Sequence, residues 1–301
     1  MKRPVAADRG MLTLQFDDLR LVLAPAHGGS IARADKAGQA LLRPASDEAV
    51  AAGDELGMAC FPLVPYSNRI AQGRFAFEGR TVTLPSNMGD HAHSIHGTGW
   101  RGAWSVAGSD PASATLTFDE NGDDWPWRFH AWQTFALDAN GFSLIIGVRN
   151  DAAKRMPVGL GIHPYFPRDE RTLLHALFAG EWQHEDALPV RWNRRSEPED
   201  WWQGRPVASR LVDTAYTGRA GDIVIEWPGQ RYSLKVRPDG LFAHTVVYVP
   251  PGEDYFCVEP VSHMPNAVNR PEPAGDTGLR VLEPGETLQG NVRFAVEPMP
   301  T

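Results

Sequence analysis

Residues 12–23 read Leu-Thr-Leu-Gln-Phe-Asp-Asp-Leu-Arg-Leu-Val-Leu. Leu12, Leu14 and Phe16 alternate with Thr13, Gln15 and Asp17, and Leu19, Leu21 and Leu23 follow. Successive side chains of a strand point to opposite faces, so a period of two marks half-buried β-strands. The same pattern recurs at Ala114-Leu116-Phe118, Phe142 to Val148, Ile223-Ile225-Trp227, Tyr232-Leu234-Val236, Thr245 to Val249 and Val292-Phe294-Val296. Phe75 and Phe77, then Val82 and Leu84, flank Glu78-Gly79, which predicts a hairpin turn. Many short strands, with 29 Gly and 25 Pro between them, predict an all-β sandwich or barrel. The best helical signal is Ser46 to Ala52, with acids in the first turn and Gly53 after it. The strands follow one another without an obvious linker or fixed repeat, so one domain over residues 1–301 is expected. The polar stretch Arg191 to Arg210 reads as a long loop.

Composition bounds the function. A chain of 301 residues with 42 % hydrophobic content can bury a sizeable core. Its net charge of −8, with both signs interspersed, argues against nucleic acid or an anionic membrane as main partner. No stretch approaches the roughly 20 apolar residues of a membrane helix. The first residues lack an apolar run of signal-peptide length, and a cytoplasmic location is expected. Cys60 and Cys257 each lie in an apolar stretch and read as two buried thiols.

Four polar segments interrupt this background: Tyr66-Ser67-Asn68-Arg69-Ile70, His93-Ser94-Ile95-His96-Gly97, Gly161-Ile162-His163-Pro164-Tyr165-Phe166 and Phe256-Cys257-Val258-Glu259-Pro260. Taken alone, His163 reads as a core histidine. Glu259 is different, because a carboxylate in an apolar run is rarely buried unless paired or functional. Pro260 is expected to end its strand and leave Glu259 at the edge of a cleft. Arg69 offers a fork of donors suited to sugar hydroxyls, or a surface charge. Asp213 reads as a turn residue. Trp100 and Trp104, downstream of His96, read as core packing or as a platform for a pyranose face.

Of the ten histidines, His91, His93 and His96 form H-x-H-x-x-H. In a strand His91 and His93 would share a face, a geometry able to bind zinc or iron. The spacing is similar to the start of a cupin metal motif, but Gly97 and Thr98 stand where that motif needs glutamate. His91 and His93 are therefore read as a solvated loop, and no metal is expected.

Read together and in order, the segments resemble the aldose 1-epimerase (galactose mutarotase-like) family, in particular its bacterial branch with Cys-Phe-Pro-Leu-Val-Pro-Tyr-Ser-Asn-Arg-Ile at residues 60–70. The resemblance spans nearly the whole chain. It takes in Asn68-Arg69-Ile70 with Gly73, His96-Gly97, His163-Pro164-Tyr165-Phe166, Asp213, Glu259 and the closing Leu282-Glu283-Pro284-Gly285-Glu286. Departures are Ile95 for a leucine, Thr214 where His or Asp is frequent, and Asn266 where Asp is common.

The resemblance implies a large antiparallel β-sandwich with an open cleft. It implies catalysis by Glu259 as base and His163 as acid, with Arg69, His96, Asp213 and Asn68 holding a small-molecule sugar, and no cofactor. Alternatives are an enzyme for a phosphorylated or otherwise charged sugar and a non-catalytic sugar-binding protein. Selectivity is expected from the segments Asp123 to Trp132 and Arg191 to Trp202. The resemblance does not specify an oligomeric state.

Overall fold

The computed structural model describes residues 10–185, 188–194, 201, 204–270 and 277–299. They are almost entirely β, in one 17-stranded antiparallel sheet with three small two-stranded companions. The large sheet has two runs. One passes through Leu12–Phe16, Leu19–Ala24, Ser30–Lys36, Cys60–Leu63, Gly161–Pro167, Tyr255–Val261 and His244–Val249. The other passes through Ser105–Ser109, Ser113–Glu120, Phe129–Asp138, Gly141–Asn150, Thr287–Pro298 and Tyr232–Pro238.

Two long strands belong to both runs. Val212–Glu226 pairs with His244–Val249 through its first half and with Tyr232–Pro238 through Ile223 to Ile225. Its neighbour Leu173–Glu185 follows it across a bulge between His175 and Leu177. The alternation seen in the sequence places Leu14, Leu21, Leu23, Phe135, Phe142 and Phe294 in one apolar core shared by the two runs. Phe142 and Phe294 are cross-strand partners whose rings stack at 4.5 Å. This is the antiparallel all-β architecture that the resemblance implies.

Local signals are realised where side chains act on their own backbone. The helix is Asp47–Ala52, where Ser46 accepts the N–H of Ala49 and Gly53 closes the end at φ 64°. The expected hairpin is Arg74–Phe77 with Arg80–Thr83. Cys60 and Cys257 are buried free thiols.

Of their two readings, Trp100 and Trp104 take core packing, each donating its indole N–H to a backbone carbonyl, of Gly97 and Gly99 respectively. Other expectations are corrected. Residues Arg191 to Arg194 continue the strand Leu188–Arg194 instead of opening a loop, because they pair with Leu173–Glu185. Residues 195–200 and 202–203 of that stretch lie outside the described residues. His93 is buried, not solvated: its Nδ1 accepts the N–H of Gln72, while its own N–H donates to Nδ1 of His91. Trp125 and Trp127 pack with Phe75 in the core.

Candidate active site

His163 lies on Gly161–Pro167 and Glu259 on Tyr255–Val261. These strands are antiparallel, with Gly161 opposite Val261 and Tyr165 opposite Cys257. That register sets His163 directly across from Glu259. Pro164 and Pro260 have no N–H to give a ladder, and the pairing opens between its two ends. Pro260 therefore does not terminate its strand; it lies within it, opposite Thr245. Glu259 consequently projects from a strand interior, with His163 Nε2 and Glu259 Oε1 3.3 Å apart. Phe61 and Tyr165 pack against the imidazole, their ring centroids 4.5 and 4.8 Å away.

A short two-stranded sheet, Arg69–Ile70 with Ser94–Ile95, builds the facing wall. The chain enters it at Asn68 and leaves it at His96, both at positive φ, 55° and 62°. At Gly97, also at positive φ, an added Cβ would sit 2.3 Å from the carbonyl oxygen of Val64, so only glycine fits. The two left-handed residues clasp each other: the His96 N–H donates to Asn68 O at 3.0 Å, and the Asn68 N–H donates to His96 Nδ1 at 3.2 Å. Because Nδ1 accepts, the proton of a neutral His96 ring resides on Nε2. Asn68 Oδ1 accepts the Arg69 N–H at 2.9 Å, and the Arg69 guanidinium reaches Asp213 Oδ2 at 3.3 Å. Asn266 braces the segment from behind, giving its N–H to Arg69 O and accepting that of Ala71.

The six residues singled out by sequence, His163, Glu259, Arg69, His96, Asp213 and Asn68, thus line one cleft of about 270 Å³. Asp213 is a strand residue, not a turn residue. Asn68 faces its neighbours more than open space. The cleft also has Leu56, Met88, Tyr248 and Tyr255 in its wall, none of which had a signal of its own in the sequence. None of residues 123–132 lines it.

Burial governs the charges. It pushes Glu259 well above the ordinary carboxyl range, with Asp213 adding to the effect and Arg69 opposing it. It pushes His163 down to about 3, reinforced by the Arg43 guanidinium and opposed by a backbone hydrogen bond. His96 is also held well below its usual value, by burial, then by His163 and Arg69. Burial therefore favours a neutral pair holding one transferable proton. Glu259 Oε2 is buried without a protein partner.

Arg43, absent from the sequence expectations, ties one wall together. Its guanidinium lies 4.1 Å from the Tyr165 ring centre and 4.6 Å from that of Tyr255, and donates to the carbonyls of Leu56 and Met58. Arg43→Met keeps the length and loses both kinds of contact, so about 1–2 kcal/mol of cation–π support should vanish. The expected result is a KM raised roughly three- to tenfold with a smaller change in kcat, checked by steady-state kinetics.

Histidines buried in the neutral state also couple folding to pH. His163, His96 and His263 all have lowered values, that of His263 about 4 through burial. Unfolded histidines bind protons as pH falls through about 6.5, whereas the folded ones do not, so acid favours unfolding. Glu259 acts oppositely, but it is one group against three. Melting followed by circular dichroism should show Tm falling steadily from pH 7 to pH 5.

The sequence model of the family described as aldose 1-epimerase matches residues 10–295. The chain belongs to the aldose 1-epimerase family. An uncharacterized Escherichia coli K12 protein, YphB, is 32 % identical over 266 residues, covering 85 % of this chain and 89 % of its own. Rat galactose mutarotase is 32 % identical over 105 residues, which is 33 % of this chain and 29 % of the rat protein. Among solved structures, an E. coli K12 protein provisionally described as an aldose 1-epimerase superposes with TM-score 0.87 at 29 % identity, covering 96 % of this chain and 99 % of that one. A galactose mutarotase-like protein from Clostridium acetobutylicum superposes with TM-score 0.85, covering 96 % and 95 %. At 20 % identity that second likeness is one of fold. Among the described residues no helix is long and apolar enough to cross a membrane.

Proposed function

We propose that this member of the family is an aldose 1-epimerase that interconverts the α and β anomers of a free hexose or related aldose by acid–base ring opening. The observation that carries the reading is the buried His163–Glu259 pair, 3.3 Å apart in one cleft with Arg69, His96 and Asp213.

Anomer interconversion moves two protons and breaks one C–O bond. The C1 hydroxyl loses its proton, the ring oxygen gains one, and the C1–ring-oxygen bond opens to an aldehyde. Rotation about C1–C2 presents the other face, and closure reverses each step. In this reading Glu259, as carboxylate, takes the C1 hydroxyl proton, and His163, as imidazolium, gives its proton to the ring oxygen. Opening therefore converts a charged pair into a neutral one. Burial favours that neutral pair, so the charged form is the minor one; opening discharges it and closure restores it. His96 would donate its Nε2–H near the ring oxygen, and Arg69 with Asp213 would hold the remaining hydroxyls. All proton carriers are side chains, so no cofactor enters the scheme.

The cleft's guanidinium, Arg69, is already engaged by Asp213, which supports a neutral over a phosphorylated sugar. Proton carriers at contact distance support catalysis over binding alone. Polarimetry on freshly dissolved aldoses, free and 6-phosphorylated, tests the reading. Accelerated mutarotation of free aldoses is expected; binding without acceleration, or acceleration confined to phosphorylated sugars, would refute it.

A further inference from the structure

His96 stands directly after a strand of two residues, Ser94–Ile95, and is itself at positive φ. A non-glycine residue keeps that conformation only where its surroundings hold it there. The facing strand Arg69–Ile70 occupies one edge of Ser94–Ile95. The other edge is closed by a side chain. Asn87 Oδ1 accepts the N–H of Ile95 at 2.8 Å, and Asn87 Nδ2 donates to Ile95 O at 2.6 Å. A carboxamide carries the same donor and acceptor as a peptide unit, so Asn87 does for Ile95 what a third strand would do. Its Nδ2 also donates to Gly97 O at 3.1 Å. Three hydrogen bonds from one side chain thus grip the residues on both sides of His96.

Asn87 is fixed in turn. Its own carbonyl oxygen accepts from Arg101 Nη1 at 2.7 Å, and the Ser86 hydroxyl bonds to the carbonyls of Gly89 and His91. Asn87 does not line the substrate cleft, although the next residue, Met88, does. It faces a separate cavity of about 320 Å³ with Tyr66, Ser94 and Arg101. Any effect of Asn87 on a bound sugar therefore passes through the segment it holds. That segment has a directional task. His96 Nδ1 is taken by the Asn68 N–H, so only the Nε2–H is left to meet a substrate. The peptide units flanking His96 set where this donor points.

We propose that Asn87 is a positioning residue for His96: by gripping Ile95 and Gly97 it holds the left-handed turn and aims the Nε2–H at the ring oxygen of the sugar. The inference rests on the mutarotase reading, in which that oxygen changes charge as the ring opens. A donor out of line then costs most in the transition state.

The test is a double-mutant cycle, read as mutarotation kinetics by polarimetry on the intact protein. Asn87→Ala should lower kcat about tenfold and change KM by less than about twofold. In a His96→Ala background the same substitution should lower kcat by less than about twofold, because the residue it serves is gone. Asn87→Asp keeps the shape and the acceptor and loses both donors, so it carries the same expectation should Asn87→Ala fail to fold. Melting curves guard the assay temperature. A crystal structure of the Asn87 variant gives a readout independent of turnover, with the His96 imidazole displaced by about 0.5 Å or more. An unchanged kcat, an equal loss in both backgrounds or an unmoved imidazole overturns the positioning role and leaves the mutarotase reading standing. Turnover of no sugar by wild type overturns both.

Discussion

Glu259→Gln should lower kcat for mutarotation by roughly 10²–10⁴-fold, the range a positioned general base contributes. The substitution preserves shape and hydrogen-bonding capacity and removes only the ability to carry the C1 proton. Substrate binding should change little, because Arg69 and Asp213 are untouched. Stability should not fall at neutral pH and should rise slightly. Burial raises the affinity of Glu259 for a proton, so above pH 4–5 the wild-type carboxyl must either bind a proton that the unfolded chain does not bind or sit charged in an apolar strand, and both cost stability. An inactive variant that melts no earlier than wild type separates catalysis from folding. A variant with near-normal rates would remove Glu259 from the mechanism.

His163→Asn should have a kinetic effect of the same order, for a complementary reason. Asparagine cannot become an acid, so the ring oxygen would leave unprotonated. Here some stability should be lost, because the imidazole packs against both Phe61 and Tyr165, and a smaller side chain leaves part of that contact unfilled. The pH profile adds a second check. The wild-type pair carries one proton over a wide interval, since His163 resists a second proton down to about 3 and Glu259 releases its own only well above its ordinary range. Activity of wild type should therefore be flat across neutral pH and fall only at the extremes where the protein itself remains folded. The double variant should be scarcely worse than either single one, because the two groups act as a unit.

Most of the fold can be read from the chain because its signals are local. The alternation of Leu12 to Leu23, the turn at Glu78-Gly79 and the cap pair Ser46 and Gly53 each act within a few residues. The site residues were legible for a different reason: they stand in an ordered set of short segments similar to those of one family. What escaped was non-local. Tyr248 joins the cleft because it pairs opposite Asp213, a register invisible before the strands are placed. Arg43 looks like any surface arginine until two tyrosines, more than a hundred residues away, stack on it. Pro260 misled because proline normally ends a ladder; here Pro164 on the facing strand also lacks an N–H, so both strands continue and open a gap at the site. Trp100 and Trp104 stayed open between two readings because an indole suits a sugar face as well as a core, and burial decides for the core.

The most direct test of ring opening by paired side chains is proton exchange spectroscopy of D-galactose or D-glucose at anomeric equilibrium in D₂O. With wild-type protein, α and β H1 resonances should exchange far faster than in buffer, and no deuterium should enter at C2, because only O–H bonds are made and broken besides the ring C–O bond. Unchanged α–β exchange, or deuterium at C2, would contradict the mechanism.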